Sequence, residues 1–146
     1  MPSRTSLFVL AVAAVVVAVL QPGFAQNPER FKVRLSTVPM DGGMRGSVAG
    51  SGAATAVLTG TKVTITGTFA GLISSATTAR LHSSVATGVR GTSFGDLTVS
   101  KALSGTITGS IDLTAEQVQN LRKGRLYSQL SSEKAPDGNL WGWLLK

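Results

Sequence analysis

The chain has 146 residues, the size of one domain with a modest core. Lys and Arg number 14 against 7 Asp and Glu, a formal charge of +7, yet charged residues make up only 14% of the chain and aromatics 5%. There is no Cys and a single His, which excludes disulfide scaffolds, thiolate zinc sites, Cys nucleophiles and any multi-histidine metal site within one chain.

The first 25 residues have the layout of a secretory signal peptide. Arg4 precedes an unbroken apolar run of 14 residues, Leu7 to Leu20; Pro22 and Gly23 then break any helix, and Gly23 and Ala25 place small residues three and one before Gln26. Spanning a bilayer needs about 18 or more apolar residues, which weighs against the competing reading as a retained anchor. The expected arrangement is a signal peptide over 1–25 and a β-domain over 26–146, exported to the periplasm or beyond the cell. Once the leader is removed, no integral membrane segment is expected. The domain of 121 residues carries a net +6 and contains 16 Gly, 14 Ser and 15 Thr. That composition suits many short strands joined by tight turns.

Period-two alternation runs through the domain. Phe31, Val33 and Leu35 alternate with Lys32, Arg34 and Ser36, predicting a strand with a basic outer face. After a glycine-rich connection from Asp41 to Gly52, Ala54, Ala56 and Leu58 form the next alternation. Gly60-Thr61 then reads as a hairpin turn into Lys62–Phe69, where Val63, Ile65 and Phe69 share one face. Further strands are expected over Thr78–Ser83, Asp96–Ser100 and Gly105–Leu113, the first containing His82. Ile65–Phe69 and Ile107–Ile111 resemble each other, a weak hint of duplication.

One helix is predicted at about 114–123. Thr114 and Gln117 form a capping box, Val118 and Leu121 an apolar stripe, Arg122 and Lys123 a basic end, and Gly124 a left-handed cap. Arg125–Leu130 reads as a strand, Pro136-Asp137-Gly138-Asn139 as a turn, and Leu140–Leu145 as the last strand. The fold class is all-β: an antiparallel Ig-like or Greek-key β-sandwich or barrel with one short helix.

These residues resemble the chordin (CHRD) domain family, found in chordin and in many exported bacterial proteins. The resemblance covers roughly Arg30 to Leu145. It rests on Val38-Pro39, Gly71-Leu72, Ala79-Arg80-Leu81-His82 and, above all, the stretch from Leu113-Thr114-Ala115-Glu116-Gln117-Val118 through Leu121, Gly124 and Leu126-Tyr127. Pro136-Asp137-Gly138 and Leu140-Trp141-Gly142-Trp143-Leu144 complete it. The chain also departs from the family pattern. Arg80 stands where the family often has the first His of a His-x-His pair, Ser131 where a further His commonly follows, and Asn139-Leu140-Trp141-Gly142 where Glu-x-Arg-Gly is usual. The resemblance therefore implies a fold and an exported setting without a metal site.

Candidate sites are few. His82 has serines beside it, but nothing resembles a nucleophile elbow, so a hydrogen-bonded strand-end histidine is the simpler reading. The seven carboxylates are scattered, two of them in helix-start or turn positions, which leaves a hydrolase as the lowest-ranked reading. Arg30, Lys32 and Arg34 alternate on one strand, while Arg122, Lys123 and Arg125 cluster at the helix end. Such patches hold phosphate, anionic glycans or membrane surfaces, or simply keep the protein soluble. Basic residues interleaved with aromatics are missing, so no nucleic-acid partner is expected. Trp141 and Trp143 share one face of a strand and Leu140, Gly142 and Leu144 the other; the leucines are expected inward and at least one Trp partly exposed, with burial of both as the rival.

The leading expectation is a non-enzymatic, exported binding module without cofactors, contacting a protein or an anionic glycan or surface. Its expected binding residues are Arg80, His82, Tyr127, Trp141 and Trp143. The alternative is an accessory subunit of an extracytoplasmic redox or metal-handling system, in which His82 is a partial ligand completed by a partner.

Overall fold

A computed structural model describes residues 27–146; the expected signal peptide lies outside the described residues. The elements in chain order are β1 (Glu29–Thr37), β2 (Ser51–Thr59), β3 (Lys62–Ala70), β4 (Ala76–Ser83), β5 (Thr92–Val99), β6 (Gly105–Asp112), α1 (Ala115–Arg122), β7 (Leu126–Ser132) and β8 (Ala135–Leu145). The strands close a barrel in the order β1-β2-β3-β6-β5-β4-β7-β8, and every pairing is antiparallel. Pairing of β8 with β1, through Val33 opposite Leu144 and Ser36 opposite Trp141, closes the ring. No helix among the described residues is long and apolar enough to cross a membrane.

The alternation in the sequence is the inside-outside pattern of this wall. Phe31, Val33 and Leu35 of β1, Ala56 and Leu58 of β2, Val63, Ile65 and Phe69 of β3, and Leu140 and Leu144 of β8 fill the interior, while Lys32, Arg34 and Ser36 stay in water. An eight-stranded barrel is only wide enough for side chains to fill. The similar segments of β3 and β6 are ladder partners, with Ile65 opposite Gly109 and Ile107 opposite Gly67. Each isoleucine thus faces a residue without a side chain, and the room at Gly109 is taken by Leu97.

One end of the barrel is covered by α1, which buries Val118 and Leu121. Its first turn is held as the sequence implied: the Thr114 Oγ1 accepts from the Gln117 N–H at 3.2 Å, and the Gln117 side chain accepts from the Thr114 N–H at 2.9 Å. At its other end the Gly124 N–H donates to Leu121 O and the Arg125 N–H to Asn120 O, a Schellman pair that needs the left-handed φ of +71° at Gly124.

Two expectations change. Pro136–Asn139 does not turn the chain, because Glu133 and Lys134 do. Ser132 pairs with Ala135 and Leu130 with Leu140, so one residue of β7 faces four of β8 in a wide bulge. The fifth strand begins at Thr92 rather than Asp96, taking in Gly95, where a Cβ would collide with Ile111.

Candidate functional site

The outer face of β4, β7 and β8 carries the site. His82 lies opposite Tyr127, and Tyr127 opposite Trp143, forming one cross-strand row; Arg80, Gln129 and Trp141 form the next. Barrel closure continues the second row to Ser36 on β1. Because strand neighbours two apart share a face, residues as far apart in sequence as Arg80 and Trp143, 63 positions, become one patch with Ser36 beside it.

Four rings meet there. The His82 imidazole stacks on Tyr127 at 4.7 Å between centroids. Tyr127 also touches Trp143 at 4.5 Å and Trp141 at 5.6 Å, and the two indoles meet edge-on at 5.5 Å. Tyr127 is only 1% exposed although its side chain points away from the barrel interior. The indoles and the imidazole surround it, and the segment from Ser84 to Gly91 reaches it from β4. Its hydroxyl accepts from the Gly91 N–H at 2.9 Å and donates toward the Gly91 carbonyl at 3.4 Å. Gly91 must be glycine for this approach, since a Cβ there would lie 2.6 Å from the Ser83 carbonyl carbon and 2.8 Å from the Ser84 Cα.

Polar groups frame the rings. Arg80 donates to Asp96 at 3.0 Å, an exposed pair. Arg90 and Gln129 both donate to the Asp137 carbonyl at 3.2 Å, tying the 84–91 segment and β7 to the bulge of β8. Gly138, with φ of +130°, sits against the Gln129 amide. On the far side Trp141 packs with Met44 on a small second core of Val38, Val48 and Ala135. Asn139 locks that core: it is wholly buried, accepts from the Ala49 N–H and donates to the Ser132 hydroxyl, both at 3.2 Å.

The Nδ1 of His82 is buried and has no hydrogen-bond partner, and the ring is stacked on Tyr127. Burial pushes its pKa below the ordinary 6.5, the Gly91 carbonyl opposes that shift, and the charges of Arg80 and Arg90 reinforce it. Neutral imidazole is therefore the favoured form near neutral pH. Among the described residues no three His, Asp or Glu side chains stand close enough together to hold a metal ion.

Of the five residues singled out from sequence, Tyr127 is in ring contact with His82, Trp141 and Trp143, the two indoles touch each other, and Arg80 lies on the same face. Leu140 and Leu144 are fully buried while both indoles are half-exposed, as the alternation implied. Gly91, Arg90 and Gln129 were not singled out; Gly91 carried only a generic loop signal and the other two none. Asn139 was read as a turn residue, not as the buried side chain that bonds Ala49 and Ser132.

Comparison with curated proteins and with solved structures returned no match. The family model of the CHRD domain matches residues 31–144, from the first core residue of β1 to the last of β8. The span takes in every strand of the barrel, the helix and all four rings. The chain belongs to the CHRD domain family.

Proposed function

We propose that this protein is an exported, non-enzymatic binding module that offers the aromatic face of β4, β7 and β8 to a partner. The observation that carries the reading is the convergence of four rings on the outside of a barrel whose interior is already filled. Tyr127 serves as the buried foundation, Trp141 and Trp143 present half-buried edges, and the charges of Arg80 and Arg90 act on His82 at the other end of the row. Trp, Tyr and Arg are the side chains that most often dominate contact energies, because they bury much area at small conformational cost. Two carboxylates are held in ion pairs, Asp96 with Arg80, and Glu29 with Arg122 and Lys146.

The alternative, with His82 completing a metal site in a partner, has less support, because the Nδ1 is sealed inside the protein's own packing. Export rests on the signal-like residues 1–25, and a mature N-terminus at Gln26 is the check on it. The binding reading is tested by capture from the exported fraction with the immobilised protein. A specific partner is expected, and Trp141→Ala, checked to melt as a folded domain, is expected to lose it. Retention of that partner by Trp141→Ala and by Trp143→Ala would overturn the reading.

A further inference from the structure

Barrel closure joins two basic runs that lie about ninety residues apart in the sequence. Arg30, Lys32 and Arg34 project outward from β1 at alternate positions, about 6.8 Å apart along an antiparallel strand. Their β2 neighbours are Val57, Thr55 and Ala53, and Leu145 of β8 lies across from Lys32, so no carboxylate faces them from either adjoining strand. The other run, Arg122 and Lys123, ends α1. It reaches the same seam because Arg122 bonds Glu29 at 2.7 Å, at the start of β1.

Two depressions follow the seam end to end. One, of about 270 Å³, is lined by Lys32, Arg34, Trp143, Leu145 and Lys146. The next, of about 340 Å³, shares Leu145 and Lys146 and continues to Arg122 and Lys123. Five cations therefore border a continuous strip, and among the described residues no Asp or Glu side chain lines either depression. Glu29, beside it, already bonds both Arg122 and Lys146, which hold its carboxyl below the usual range. Trp143 and the 43%-exposed Leu145 give the strip an apolar floor between the charges.

We propose that this strip binds a linear anionic polysaccharide bearing sulfate or uronate groups. The charges form a line rather than a disc, which matches a chain better than a membrane plane. One indole between cations suits the C–H face of a sugar ring, whereas single-stranded nucleic acid is held by several stacked rings. The strip touches the aromatic face only at Trp143 and stands independently of the function proposed for that face.

The test is titration of the purified protein with a heparin hexasaccharide at several salt concentrations. Affinity is expected to fall steeply with salt, as it does when exposed charges carry binding. Lys32→Ala with Arg34→Ala should weaken binding at least tenfold and flatten that salt dependence. Lys123→Ala should do so several-fold, providing a second variant on a different element. The pair Lys62→Ala with Lys101→Ala, which removes the same charge elsewhere, should stay within twofold. Equal losses from the two double variants would reduce the effect to net charge and overturn the proposal. So would tighter binding of anionic phosphatidylserine vesicles or duplex DNA that displaces the hexasaccharide.

Discussion

Removing a single oxygen, in Tyr127→Phe, tests how the aromatic face is held together. The ring keeps its contacts with His82, Trp141 and Trp143, so almost no apolar packing is lost. What disappears is the 2.9 Å bond from the Gly91 N–H and the longer one to the Gly91 carbonyl. A neutral hydrogen bond contributes about 0.5–1.5 kcal/mol net, and a buried donor left wholly dry would cost more, up to about 3 kcal/mol. Gly91 is half-exposed, so water can reach the freed N–H and the loss should be about 1 kcal/mol. For a domain of this size that lowers Tm by roughly 3–5 °C. The sharper readout is local: amide exchange at Gly91 should accelerate about fivefold, while core amides of β3 respond only through the global change. Unchanged stability together with unchanged Gly91 exchange would refute the claim that Tyr127 anchors the 84–91 segment. A loss of several kcal/mol would instead show that the ring had moved, as expected for removing the whole side chain.

Gly91→Ala places a methyl group against the Ser83–Ser84 backbone and should release the segment more completely, exposing Tyr127 to fluorescence quenchers that do not reach it in the wild type; equal quenching in the two proteins would contradict this. The depressed pKa of His82 means that the unfolded chain takes up its proton first as pH falls. Its contribution is intact above pH 6.5 and declines as pH drops toward the folded-state value. His82→Gln should flatten that decline in urea titrations across the range, and an unaltered pH profile would count against it. Ser128 is 1% exposed inside the barrel and its hydroxyl has no partner, so Ser128→Ala should be neutral or stabilising by up to about 1 kcal/mol in urea unfolding; a clear loss would show that the hydroxyl is bonded.

Much of the barrel wall was legible because strands such as β1 and β3 write their burial into their own residues. The order buried-exposed-buried from Phe31 to Leu35 is the sequence alternation itself, and the capping box at Thr114 is a local hydrogen-bonding pattern. Legibility failed where position depends on distant chain. Pro-Asp-Gly-Asn marks a departure from regular pairing, but a wide bulge uses the same residues as a turn. Which of the two forms is decided by Asn139, whose partners are Ala49 and Ser132. Tyr127 stands at an outward strand position, and only the 84–91 segment and its neighbouring rings make it a buried residue. The two basic runs likewise became one strip through the β1–β8 pairing, which nothing local to either run announces.

The most direct test of the aromatic face as the recognition surface compares two substitutions on opposite walls of the barrel. Trp141 of β8 lies on the proposed face, whereas Thr66 of β3 is exposed nearly half the ring of strands away. With the partner captured from the exported fraction, equilibrium binding is measured for the wild type, Trp141→Ala and Thr66→Lys. Burial of an indole edge at the centre of a contact is worth at least about 2 kcal/mol, so Trp141→Ala should weaken binding roughly thirtyfold or more. Thr66→Lys should leave it unchanged. Loss of binding on Thr66→Lys with retention on Trp141→Ala would place the recognition surface on the other side of the barrel.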